Sequence, residues 1–227
     1  MSNSTKAIFF KEGQEFNRQR ETCPYVIFVE GTDDAHFVDT LLSDIGASTD
    51  VVGIVIVGGK GNFPSFINSF CKQSNFTQGT TKGIAIIRDA DEDHLAATKE
   101  VQEIFQKISS IQINNASPIR DGNYRFGFYL LPKENENGDL EKLCLETVKD
   151  EPIEVLAEKF IQEIQSLNQT DQLNQINKRK TQTYLSGVIG EICKGPGLGI
   201  KRGHFKLDHQ ALSPLKQFLK DFIPSTQ

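Results

Sequence analysis

The sequence predicts an α/β fold: a mostly parallel sheet flanked by helices, followed by a mainly helical C-terminal region. Two observations carry that expectation. Three short, continuously apolar runs, at 25–29, 51–57 and 83–87, each lead into a segment whose apolar residues recur at spacings of three and four. Beyond Pro132 such runs stop and helical spacing dominates.

Taken in order, the run from Tyr25 to Val29 reads as a strand ending at Glu30. Gly31-Thr32-Asp33-Asp34 then turns the chain into a helix carrying Phe37, Val38, Leu41, Leu42 and Ile45, with Thr32 or Asp33 as its N-cap. The second run closes on Gly58-Gly59-Lys60-Gly61-Asn62, before a helix with Phe63, Phe66, Ile67 and Phe70 inward and Pro64 in its first turn. The third ends at Arg88-Asp89-Ala90-Asp91 and precedes a helix through Val101, Ile104, Phe105 and Ile108. Phe126 to Leu131 reads as a fourth strand, and 110–124 as either a loop or an edge strand.

After a polar turn at 133–138, Asp139-Leu140-Glu141 opens a helix. Ile153, Leu156, Phe160, Ile164 and Leu167 predict a second, and a third spans about 171–192. Gly195-Pro196-Gly197-Leu198-Gly199 breaks the chain before a final helix near 211–222. The expected organisation is an extension over 1–23, an α/β core over 24–131, and a helical region over 132–227 packed on that core.

Composition narrows the function classes. The 227 residues hold 25 Lys and Arg against 30 Asp and Glu, a formal charge of −5, with 37% hydrophobic and 24% charged residues. That is a folding composition, and its acidity argues against nucleic-acid binding by bulk charge while leaving room for a local basic groove. No apolar run approaches the roughly 18 to 20 residues of a membrane span, and the N-terminus offers no secretory signal. Cys23, Cys71, Cys144 and Cys193 lie far apart, with no C-x-x-C pair, and read as reduced thiols of a cytoplasmic protein.

Chemistry concentrates where two strands end. Glu30 and the Asp33-Asp34 pair follow the first, and Asp89-x-Asp91 with Asp93 follows the third. In an open α/β sheet the ligand crevice lies outside the carboxyl ends of the strands, which puts Glu30, Asp89 and Asp91 on one rim. Clustered carboxylates are best tolerated around a hard cation, and Mg²⁺ (or Mn²⁺) suits oxygen ligands of this kind. Asp89 and Asp91 would point the same way if the backbone stays extended, with Glu30 as a third ligand or as the proton-transferring group. Asp34 and Asp93 are additional candidates, set against the plainer role of turn formers and helix caps.

Lys60, amid Gly58, Gly59 and Gly61 at a helix entrance, is a candidate phosphate contact, although the loop lacks Walker A spacing. Its alternative is a glycine-rich turn with a solvated lysine. Lys178-Arg179-Lys180 makes the C-terminal half locally basic, so Lys178 and Lys180 either meet a phosphate or line a solvated helix face. His36 reads as a helix-face residue and His209 as lying near a helix start; neither has a partner at metal-ligand spacing.

Val26-Ile27-Phe28-Val29-Glu30-Gly31 with Asp33-Asp34, and Ile84-Ala85-Ile86-Ile87 with Asp89-Ala90-Asp91, resemble the two motifs of Toprim domains. The resemblance spans about 24–131. It implies a Toprim-like, Rossmannoid parallel sheet, with Glu30 as general acid or base and Asp89 and Asp91 binding Mg²⁺. Two departures are visible: Asp33-Asp34 stands where many members carry Lys-Asp, and Glu92-Asp93 follows the second motif. The chain is also similar, through nearly its whole length, to an uncharacterised prokaryotic Toprim-related family. That similarity rests on Gly58-Gly59-Lys60-Gly61-Asn62-Phe63, Gly138-Asp139-Leu140-Glu141, Leu198-Gly199 and Leu207-Asp208-His209.

The expectation is therefore a Mg²⁺-dependent phosphodiester enzyme acting on nucleic acid, a nuclease, with Glu30, Lys60 and Lys180 as catalytic candidates. The alternative is a non-catalytic metal- or nucleotide-binding module of a larger defence or repair assembly. A homo-oligomer or protein partner fits either. No tyrosine is assignable to topoisomerase chemistry, and no zinc module accompanies the chain as a primase would need.

Overall fold

The computed structural model describes residues 8–10, 23–47, 51–109, 112–167, 175–188, 190 and 192–223. Six strands form one sheet: β1 (Ile8–Phe10), β2 (Tyr25–Val29), β3 (Val52–Ile56), β4 (Gly83–Asp89), β5 (Ile119–Asp121) and β6 (Tyr124–Leu131). Their spatial order is β1-β3-β2-β4-β6-β5, and every neighbouring pair is parallel except β5–β6. Around the sheet stand α1 (Thr32–Asp44), α2 (Phe63–Cys71), the single turn α3 (Ser74–Thr77), α4 (His94–Ser109), α5 (Leu140–Glu146), α6 (Pro152–Leu167), α7 (Ile176–Gly187), α8 (Pro196–Lys201) and α9 (Ser213–Phe222).

The continuous apolar character of β2, β3 and β4 follows from burial on both faces. Strand side chains alternate between faces. Ile27, Val29, Ala85, Ile87, Tyr129 and Leu131 enter one core with Phe37 and Leu41 of α1, Leu140 and Cys144 of α5, Ile200 of α8, and Phe218 and Phe222 of α9. Val26, Phe28, Ile84, Ile86, Phe126 and Phe128 enter the other, with Phe63 and Ile67 of α2 and Val101 and Phe105 of α4. The C-terminal helices thus share a core with α1.

Several expectations change. Residues 8–10, assigned to an extension, supply the edge strand β1 beside β3. The open choice within 110–124 resolves in favour of a short antiparallel edge strand, 119–121. The N-cap of α1 is Gly31, not Thr32 or Asp33: its backbone is extended, and its N–H donates to the Asp34 carboxylate at 2.9 Å. The glycine-rich stretch 195–199 does not simply break the chain, because α8 begins at Pro196 and lies against α1. The helix expected over 171–192 begins at Ile176 and ends at Gly187; 171–174 lies outside the described residues.

Candidate active site

β2 and β4 are parallel neighbours with Val29 opposite Ile87, so Glu30 and Asp89 leave the sheet at adjacent strand ends. The helix after β2 begins at once, which brings Asp34 to the same rim. The glycine loop after β3 closes over the end of β2, where the N–H groups of Gly58 and Gly59 donate to the Glu30 carbonyl at 3.0 and 3.3 Å. Gly58 and Gly59 hold φ of 75° and 125°, the left-handed region that glycine enters without a Cβ penalty. Asn62 locks the loop by donating to the carbonyls of Val57 and Gly58.

A second loop covers the rim from the side of β6. Asp91 and Gly138 exchange backbone hydrogen bonds at 2.8 Å in each direction. Leu140 donates its N–H to Asp89 Oδ1 at 2.9 Å. Asp139, the N-cap of α5, accepts from the Lys142 N–H at 2.8 Å and from Asn177 of α7 at 3.0 Å. The segment Gly138-Asp139-Leu140-Glu141 therefore brings two further carboxylates to Asp89.

The electrostatics of this cluster are dominated by burial and like charge. Burial raises the Asp34 carboxyl to about 7, with the charges of Glu30 and Glu141 adding to it against the Gly31 hydrogen bond. Burial, then the charges of Asp34 and Glu141, holds Asp89 well above the ordinary carboxylate range. Glu141 is raised by burial and by Asp139, while Lys178 pulls it the other way. A carboxyl raised in the fold binds more protons there than in the unfolded chain, so its contribution to stability falls as pH rises through that window. For Asp34 the window runs from about 3.9 to about 7. In chelator, the thermal midpoint of Asp34→Asn is expected to gain on the wild type progressively over that range and then hold a constant lead. A lead that is flat across the range would contradict the raised carboxyl.

Asp91 departs from expectation. The backbone is not extended there: φ is 56°, and the side chain turns toward basic residues. Its Oδ2 pairs with Lys60 Nζ at 3.0 Å and with Arg88 Nη2 at 3.5 Å. Arg88, only 4% exposed, also donates to Glu100 at 2.9 Å and to the Asp89 carbonyl. Lys60, Arg88, Asp91, Asp93 and Glu100 line a cavity of about 320 Å³ beside the rim.

The remaining candidates separate. Asp93 accepts from the Ala96 N–H and caps α4. Lys180 does not face the rim: it pairs with Glu154 at 2.6 Å and with Glu158, tying α7 to α6. Within the basic stretch it is Lys178 whose charge reaches the cluster, through Glu141. His209 caps the turn before α9, accepting from the Ala211 N–H. Asp139 and Glu141 were not among the candidate site residues, although the sequence marks them by the family similarity of Gly138-Asp139-Leu140-Glu141 and by a polar turn running directly into a helix. Arg88, an arginine inside an apolar strand, was the other signal.

Among the described residues, no three His, Cys, Asp or Glu side chains stand ready to hold a metal ion. The donors present are all carboxylate oxygens, and Mg²⁺ takes one or two of these together with waters and phosphate oxygens. Asp89 and Glu30 at the adjacent strand ends supply donors of that kind. No helix among the described residues is long and apolar enough to cross a membrane.

A family model described as a protein of unknown function, DUF3226, matches residues 24–224. The chain belongs to that family. Curated proteins contain no match to this sequence. Among solved structures the chain is similar to the C-terminal region of the Xanthomonas campestris pv. campestris OLD protein, in crystals phased with mercury and with platinum. The TM-scores are 0.44 and 0.45 at 15% identity, covering 88% of this chain and 96% and 94% of those. A hypothetical protein from Pyrococcus horikoshii OT3 is similar with a TM-score of 0.43 at 14% identity, covering 87% of this chain and 94% of that one.

Proposed function

We propose that this chain is a divalent-metal-dependent phosphodiester enzyme acting on nucleic acid, a nuclease. The observation that carries the reading is the placing of Glu30, Asp34 and Asp89 along the carboxyl edge of the sheet, with Asp34 raised by burial and the charges of Glu30 and Glu141, and Asp89 by burial and the charge of Asp34. Such a cluster is stabilised by a hard cation. The order of Glu30 and Asp89-x-Asp91 along the chain, resembling the Toprim motifs, supports the same reading.

Asp89 and Glu30 would hold Mg²⁺ or Mn²⁺, which would polarise a phosphoryl oxygen and lower the pKa of a bound water. Glu30 accepts the proton of the attacking water or returns one to the leaving oxygen. Lys60 stands on the wall of the adjoining cavity, where its ammonium can meet a substrate phosphate. Arg88 stays buried in its pairs and fixes the strand end.

The test is cleavage of labelled DNA and RNA with Mg²⁺ or Mn²⁺ by the wild type and by Glu30→Gln. Cleavage in the wild type, reduced about a hundredfold or more in the variant, is the expected result. Metal binding with neither nucleic acid cut would favour a non-catalytic module, a reading that the engagement of Asp91 by Lys60 and Arg88 also suits.

A further inference from the structure

The more apolar stripe of α6 faces outward. Leu156, Phe160 and Leu167 are 64%, 51% and 77% exposed, while the buried positions are Glu154, Ala157 and Ile161. A stripe of this spacing ordinarily covers a core. Phe160 and Ile164 also line a groove of about 420 Å³ between α6 and α7.

We propose that this stripe is the interface of a two-fold dimer of the chain, in which the two copies of α6 lie antiparallel. The occupant follows from the order of residues along the helix. In an antiparallel register, Leu156 of one copy meets Leu167 of the other, and Phe160 meets Ile164. The same register sets exposed Lys159 beside exposed Glu163 twice, on the flank that the two-fold axis keeps together. A parallel two-fold pairing would instead place the two copies of Lys159, and of Glu163, on opposite flanks and lose both pairs. The 16 residues of α6 run about 24 Å, and with α7 alongside the face is about 20 Å wide. That is about 480 Å² a side, the size of a weak, reversible contact. The two-fold contact spends the apolar stripe on a copy of itself and leaves the carboxylate rim to its own chemistry.

The experiment is sedimentation and light scattering of the full chain over a concentration range reaching about 100 μM. The wild type is expected to move from 25.4 kDa to twice that mass. Phe160→Glu, at an exposed position, should keep its helix signal and raise the dimer Kd about tenfold or more. Lys159→Glu and Glu163→Lys should each weaken the dimer severalfold, and the double exchange should restore it. A single 25.4 kDa species throughout, a dimer indifferent to Phe160→Glu, or a double exchange that fails to restore pairing would each overturn the proposal.

Discussion

Asp89→Asn is expected to abolish metal-dependent cleavage and metal-dependent stabilisation together. The substitution is close to isosteric, and the amide oxygen still accepts the Leu140 N–H that Asp89 Oδ1 accepts at 2.9 Å, so the loop over the rim keeps its anchor. Only the charge is lost. Without metal, the variant should be no less stable than the wild type, because burial and the neighbouring carboxylates already disfavour that charge. With metal the order reverses. A site filled at about a hundred times its Kd stabilises the fold by about 2.7 kcal/mol, which for a chain of this size raises the midpoint by about 5 to 10 °C. The wild type should show that rise in Mn²⁺ and the variant should not. Cleavage should fall about a hundredfold or more, the scale on which losing one charge-stabilising group acts. Asp91→Asn should cost less, since the Asp91 carboxylate already belongs to Lys60 and Arg88. An Asp89→Asn protein that keeps the full Mn²⁺ shift would remove Asp89 from the metal site.

The contrast between Asp89 and Asp91 marks how far the sequence could be read. Parallel strands buried on both faces announce themselves as continuous apolar runs, and the ends of those runs locate Glu30 and Asp89 on one rim. Pairwise spacing says nothing of φ, and one left-handed residue was enough to send Asp91 toward Lys60 and Arg88. Lys180 illustrates a second limit. A basic cluster is visible in sequence, but which member turns to which neighbour depends on the packing of α6 against α7, and Lys180 found Glu154 there. Asp139 and Glu141 stand far along the chain from Asp89, brought to it by the Asp91–Gly138 bridge and the Leu140 N–H. The helical spacing of α6 was legible, but not that its strongest stripe would face outward. Glycine at 195, 197 and 199 suggested a break, whereas its use is close approach.

That close approach makes Gly197→Ala the most damaging small change in the helical region. A Cβ on Gly197 would lie 2.0 Å from the Asp33 carbonyl oxygen and 2.7 Å from its Cα. Both are backbone atoms of α1, so no rotamer change relieves the clash, and α8 must retreat bodily. Ile200 of α8 is buried in the core shared with α1, and a retreat would loosen that contact as well. The expected cost is about 3 to 5 kcal/mol, seen as a lowered denaturation midpoint with little change in m. Because Asp33 and Asp34 open α1, the carboxylate cluster should shift with it, and metal-dependent stabilisation should weaken even where folded protein is recovered. Gly61→Ala is the control: a Cβ there meets nothing within 4 Å, so its stability should stay within about 1 kcal/mol of the wild type. If Gly197→Ala matched that control, α8 could not lie against the start of α1 as closely as the glycines allow, and the frame that holds Asp34 at the rim would have to be drawn differently.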